Sequence, residues 1–284
     1  MKIFSVLTLL FALGITSMRA ADGGANGQIP PPLTLSVHHQ VKSEHGYEAL
    51  VSLPVGYESS GLRHWPLILF LHGSGESGHD LSHVPVNGPP KLLNPGAKLT
   101  DAEANAARIL ARDFIVVSPQ CPDEGIAWLD DDLLATLDEV TAKWRVDADR
   151  VYLTGLSMGG YGAWSLGLHH ADRFAAVVPI SGGANYLDAL NAQDGTSPQA
   201  KALRHVGIWI VHGAIDPVVP VSEATRLYEL LKNSGFDDLR ITVVPDHGHD
   251  VWNALYADPA FYEWLLQHRR AAGFGDPSLH QKSR

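Results

Sequence analysis

A single cysteine, Cys121, occurs in 284 residues, so no disulfide can form within the chain and no cluster of thiolates can hold a metal. Basic side chains are also scarce, with 21 Lys and Arg against 31 Asp and Glu and a formal net charge of −10. That balance excludes nucleic acid and anionic membrane surfaces as natural partners. A chain of this size can be one α/β domain with a sizeable core, and no internal repeat suggests otherwise. Long hydrophobic runs are missing as well. The longest, Ile3 to Ile15, falls short of the roughly 20 apolar residues that cross a bilayer. With Lys2 before it and Met18-Arg19-Ala20 after it, Met1 to Ala20 is expected to be a secretory signal peptide rather than a membrane anchor, giving a secreted or periplasmic protein. Its removal takes Lys2 and Arg19, leaving a net charge of about −12. No cysteine lies near the cleavage region to carry a lipid.

What is present points to nucleophilic catalysis. Gly155-Leu156-Ser157-Met158-Gly159-Gly160 directly follows the strand-like run Arg150-Val151-Tyr152-Leu153-Thr154, and a helical stretch from Tyr161 to His169 follows it. A Gly-x-Ser-x-Gly sequence between strand and helix places the serine on a sharp turn above the sheet edge, with its hydroxyl exposed. A hydroxyl is a weak nucleophile at neutral pH, so the chemistry requires a base and a carboxylate to orient it, in the chain order Ser, Asp/Glu, His. Asp216 stands in the loop after the apolar run Gly207 to Val211. His249 stands in the loop after Arg240 to Val244. An oxyanion hole is expected after an earlier strand. Pro66 to Leu71 ends in His72-Gly73-Ser74-Gly75, whose backbone can supply the N–H of Ser74, or alternatively Gly75, to act with that of Met158. His72 reads as a structural residue at the strand end, because the triad already has its base.

These residues resemble the α/β-hydrolase superfamily, and within it the secreted carboxylesterases related to feruloyl esterases, polyhydroxyalkanoate-depolymerase-like proteins and the phospholipase/carboxylesterase group. The similarity is carried by Leu69 to Gly78, Asn87-Gly88-Pro89-Pro90-Lys91, Val117 to Pro122, Arg150 to Trp164, His212 to Pro220 and Gly248 to Trp252. The resemblance implies a mainly parallel sheet with helices on both faces, no cofactor and no metal. It implies a small-molecule or polymer-linked ester as substrate, with Ser157, Asp216 and His249 as its triad. It also puts an aromatic near the exit of the Val117 to Pro122 strand, which makes Trp128, with Gln120, a candidate for the substrate cleft. A serine peptidase or acyltransferase would use the same triad, and a catalytically silent binding protein would share the scaffold.

The rest of the chain alternates strand and helix after a glycine- and proline-rich lead at 21–32. Edge strands are expected at Leu33–Val37 and Tyr47–Leu53. Further strands are expected at Leu67–Leu71, Phe114–Ser118, Val151–Gly155, Ala175–Ile180, Ile208–His212 and Ile241–Val244. Helices are expected at Asp101–Arg112, Leu133–Trp144, Met158–His169, Val221–Asn233 and Pro259–Ala271. This order predicts one α/β catalytic domain over residues 33–272, with no large lid domain and a polar tail at 273–284. Glu76 to Lys98 and Gly183 to His205 read as irregular stretches bordering the catalytic face, the second longer than the resemblance implies. Asp130-Asp131-Asp132 is expected to cap the following helix, and the pairs His38-His39 and His169-His170 to be surface or capping residues.

Overall fold

The run Trp65–Leu71 carries no polar side chain and is buried along its whole length, as a strand covered on both faces must be. It is the third strand of the computed structural model, which describes residues 38–41, 46–122 and 127–271. The leader expected at 1–20, the lead at 21–32, the strand at Leu33–Val37 and the tail at 273–284 lie outside the described residues. The strands are β1 (His38–Val41), β2 (Ala49–Ser52), β3 (Trp65–Leu71), β4 (Ile115–Pro119), β5 (Val146–Leu156), β6 (Ala176–Ile180), β7 (Gly207–Gly213) and β8 (Leu239–Val244). Among the described residues they form one sheet in the order β1-β2-β4-β3-β5-β6-β7-β8. β1 with β2 and β2 with β4 pair antiparallel, and all other neighbours pair parallel.

Alternation along β3 divides the interior into two cores, since successive side chains point to opposite faces. Leu67, Leu69 and Leu71 join the core beneath α3 (Asp130–Lys143), α4 (Met158–His169), α5 (Tyr186–Asp194), α6 (Pro198–Leu203) and α7 (Ser222–Leu231). Ile68 and Phe70 face the other core, beneath α1 (Gly88–Leu93), α2 (Asp101–Asp113), α8 (Trp252–Tyr256) and α9 (Pro259–Leu266). Fully buried leucines such as Leu69 each cost about 2–5 kcal/mol when truncated to alanine. The parallel register aligns the carboxyl ends of β3, β5, β6, β7 and β8, so the loops leaving them share one edge of the sheet.

Several expectations change. Glu76 to Lys98 is not irregular throughout: it contains α1, whose Pro89 and Pro90 sit in the first turn, where a missing N–H leaves no helical bond unmade. Gly183 to His205 holds α5 and α6, capped by the Asn185 and Ser197 side chains and separated by Gly195 in the left-handed region at φ 67°. The three aspartates do not cap α3. The N-cap is Leu129 and the aspartates occupy the first turn, where they oppose the positive end of the helix. Asp130 instead accepts from Ser165 Oγ at 3.2 Å and binds His169 Nδ1 at 2.7 Å. β5 begins five residues earlier than expected because Val146 pairs with Trp65 across an irregularity in register. The last helix stops at Leu266, short of the expected Ala271.

Candidate active site

Between β5 and α4 the chain turns through Ser157 at φ 53°, ψ −117°, a region costly for any residue with a Cβ. Two close approaches make the turn possible only with glycine on either side. A Cβ on Gly155 would lie 2.2 Å from Gly159 O, and one on Gly159 would lie 2.0 Å from Leu71 O. The turn is further fixed by Ser157 N–H donating to Ile180 O at 2.9 Å, and Ser157 O then accepts from Gly160 and Tyr161 at the start of α4. Met158 is the first residue of that helix, so its N–H has no partner within the helix and points out of its positive end.

The structure brings Ser157, His249 and Asp216 together from three loops. Ser157 Oγ lies 2.9 Å from His249 Nε2, and His249 Nδ1 lies 2.7 Å from Asp216 Oδ2. The second carboxylate oxygen of Asp216 accepts the N–H groups of Val218 at 2.8 Å and Val219 at 2.9 Å. Burial opposes the charge on Asp216, but the His249 imidazole and those two N–H groups outweigh it and hold the carboxyl below its ordinary range. Below it lies the fully buried His212, with Nε2 2.9 Å from Val219 O and 3.3 Å from Asp216 Oδ2. His249 itself is held by its backbone, since its carbonyl accepts from Ser181 Oγ at 2.8 Å. Trp252 stands edge-on to its ring at 5.2 Å. By contrast, His247 is exposed and binds Pro245 O at 3.2 Å.

The loop after β3 forms a 3-10 turn over Ser74–Glu76 with Gly73 before it. Ser74 and Gly75 are exposed, and as the first two residues of that turn their N–H groups have no partner within it. Gly73 packs close to Ser157: a Cβ placed there would meet Ser157 Cβ at 3.6 Å. The turn is locked from below by His72, fully buried. Its Nδ1 donates to Gly73 O at 2.6 Å, and its Nε2 accepts the N–H of Cys121 at 3.0 Å. Burial drives the His72 pKa down to about 4, against the opposing pull of the Gly73 carbonyl, so the ring is neutral and its tautomer is fixed by the two bonds.

Of the two cleft candidates, Gln120 lines a cavity of about 190 Å³ together with Tyr47, Gly78, His79 and Pro122. Its Nε2 is already committed, donating to Glu76 O and Asp80 O at 2.9 Å each. Trp128 is buried and packs edge-on against His72 at 4.8 Å and Tyr47 at 5.1 Å. It thus lies beneath the loop after β3, the packing role that an aromatic beside a helix start most often has. Sequence reasoning missed Ser181, His212 and Glu76, all of which are buried polar side chains around the site. Only His212 carried a sequence signal, standing four residues before Asp216 at a strand end.

Comparison with known proteins gives the family. The chain is 29% identical over 239 residues to a probable feruloyl esterase C of Aspergillus terreus, covering 83% of this chain and 78% of that protein. It is 25% identical over 217 residues to an acyl-protein thioesterase 1 of Neurospora crassa, covering 66% of this chain and 82% of the relative. Among solved structures, a thermostable esterase superposes with a TM-score of 0.65 at 24% identity, over 84% of this chain and 64% of that one. Residues 57–258 match the phospholipase/carboxylesterase family, and the chain belongs to that family, with the α/β-hydrolase fold and the serine ester hydrolase activity that go with it.

Proposed function

We propose that the protein hydrolyses carboxylic esters through an acyl-enzyme on Ser157, with His249 as base and then acid, and Asp216 as the group that orients it. The observation that carries this reading is the unbroken chain Ser157 Oγ, His249, Asp216 at 2.9 and 2.7 Å. His249 Nε2 takes the hydroxyl proton as Oγ attacks the ester carbonyl. The tetrahedral oxyanion is met by the N–H of Met158 and that of Ser74 or Gly75. Collapse expels the alcohol, which receives the proton from His249. Water then attacks the acyl group with His249 again as base, and the acid leaves. Such oxyanion donors typically contribute about 10²–10³ in rate each.

The catalytic domain is assigned to residues 33–272, after a secretory leader at 1–20, which puts the enzyme outside the cytoplasm. Among the described residues no helix is long and apolar enough to cross a membrane. The rim of the site is open and apolar: Tyr161, one turn after Ser157, and Ile215 and Val218, flanking Asp216, are exposed. Soluble esters of short acids and of aryl acids fit such a surface.

The test is steady-state kinetics on p-nitrophenyl esters from acetyl to long acyl chains, on methyl ferulate, on an acyl thioester and on peptides. Apolar pockets discriminate by about 1–3 kcal/mol per methylene, so kcat/KM should fall gradually from acetyl or butyryl to longer chains without activation by lipid droplets. A maximum at long chains with interfacial activation, or turnover of peptides above esters, would overturn the reading.

A further inference from the structure

The segment Asn87-Gly88-Pro89-Pro90-Lys91 contributes no group to the chemistry above, yet its geometry is tightly specified. Gly88 adopts φ +67°, and a Cβ there would lie 2.5 Å from two ring carbons of Phe70, so only glycine fits. Pro89 and Pro90 stiffen the next turn, and Leu92 and Leu93 anchor it in the core. All of this fixes one side chain, that of Asn87, between two catalytic loops. Asn87 Nδ2 donates to Glu76 Oε1 in the oxyanion turn. On its other side, Asn87 Oδ1 accepts the indole N–H of Trp252 at 3.4 Å, and Trp252 is the residue edge-on to His249.

Glu76 is an unusual end for this bridge. It is only 4% exposed, and no Lys or Arg pairs with it among the ion pairs of the described residues. Its carboxyl faces its own N–H and that of Gly73, and a Cβ on Gly73 would lie 3.5 Å from Glu76 Oε2. Burial raises its pKa, while the bonds from Asn87 and the two N–H groups pull the other way. Its backbone carbonyl takes Gln120 Nε2 at 2.9 Å. Side chain and main chain of Glu76 therefore hold the turn that presents the Ser74 and Gly75 N–H groups.

We propose that Asn87 and Glu76 are positioning residues for the hydrolysis. The Asn87 amide clasps the oxyanion turn to the histidine loop, so that oxyanion donors and base stay in register across the transition state. This rests on the triad and oxyanion hole proposed above. Those groups act on one tetrahedral intermediate from different loops, and a displacement of about 1 Å between them can cost on the order of 10²-fold in rate. The amide is suited to the place because it donates on one side and accepts on the other. A carboxylate of the same shape can only accept.

The test is a double-mutant cycle on the full-length protein with p-nitrophenyl acetate, read as kcat, KM and Tm. Asn87→Asp sets two acceptors against each other, and kcat should fall on the order of 10-fold or more with KM little changed. Adding Glu76→Gln restores a donor across the same gap with the polarity reversed. The Glu76→Gln/Asn87→Asp double substitution should therefore recover most of the lost kcat, which loss of packing would not allow. Trp252→Phe keeps the aromatic edge on His249 and removes only the N–H to Asn87. It should lower kcat by a smaller factor with an unchanged Tm, and it keeps the question answerable if Asn87→Asp does not fold. Unchanged kcat in Asn87→Asp and Trp252→Phe would overturn the proposal, as would a loss in Asn87→Asp that the second substitution does not recover. Either result leaves the triad standing if Ser157→Ala is inactive, whereas an active Ser157→Ala removes the reading on which the clasp depends.

Discussion

Substituting His72 by leucine probes how the oxyanion loop is held, and its effect should depend on pH in a calculable way. The change removes two bonds, one to Gly73 O at 2.6 Å and one from Cys121 N–H at 3.0 Å, at a site with no solvent access. Each lost partner of a buried polar group costs about 1–3 kcal/mol, so the variant should be about 2–6 kcal/mol less stable at pH 7. Acid changes the comparison. His72 titrates near 6.5 when unfolded and at about 4 in the fold, so between these values the unfolded chain binds the proton that the native ring refuses. Its contribution is present above pH 6.5 and fades as the pH falls towards 4. That interval is worth about 3 kcal/mol. All other groups titrate alike in both proteins, so urea melts at steps from pH 7 to 4 should show the gap between wild type and His72→Leu narrowing by about 3 kcal/mol. A gap that stays constant or widens in acid would refute the account of a neutral, doubly bonded His72.

Other outcomes are expected around the same edge of the sheet. His249→Ala should remove nearly all ester hydrolysis and His247→Ala little of it, as measured on p-nitrophenyl acetate. Asp216→Asn should fold normally and lose on the order of 10⁴ in kcat by presenting the wrong tautomer to His249, while Asp246→Asn and Asp250→Asn stay near wild type. Gly159→Ala should yield little folded protein by circular dichroism, since its methyl would fall on Leu71 O at 2.0 Å. His169 is partly buried, which disfavours its charge, but Asp130 and Asp188 prevail and raise its pKa. Its stabilising effect should therefore be complete below the unfolded value near 6.5 and vanish as the pH climbs through the raised one. His169→Ala should flatten that part of the stability profile, by a modest amount because the pair is partly exposed.

That Ser157, Asp216 and His249 would meet was legible because each is announced locally: Ser157 by the steric need for the glycines around it, and Asp216 and His249 by their places just past apolar strands. β3, β4, β6 and β7 were legible for a related reason, since buried parallel strands are nearly continuous apolar runs. The helices within Gly183 to His205 and at Gly88–Leu93 were not. They are short, they begin with turn-forming Asn, Ser, Gly and Pro, and tertiary packing onto α7 and Phe70 decides them more than propensity does. Nor could sequence show that Ser181, Glu76 and Asn87 support the site. Their hydrogen bonds join positions 68, 11 and 165 residues apart, and only the fold brings such partners together.

The nucleophile itself can be tested by intact-protein mass spectrometry. Protein mixed with excess p-nitrophenyl butyrate and quenched in acid within the first turnovers should carry one butyryl group, and peptide mapping should place it on the peptide containing Ser157. Under the same conditions Ser157→Ala should gain no mass and retain far less than a tenth of the activity. An acyl group on any other residue, or a Ser157→Ala variant that still turns over the ester at more than a tenth of the wild-type rate, would contradict the account.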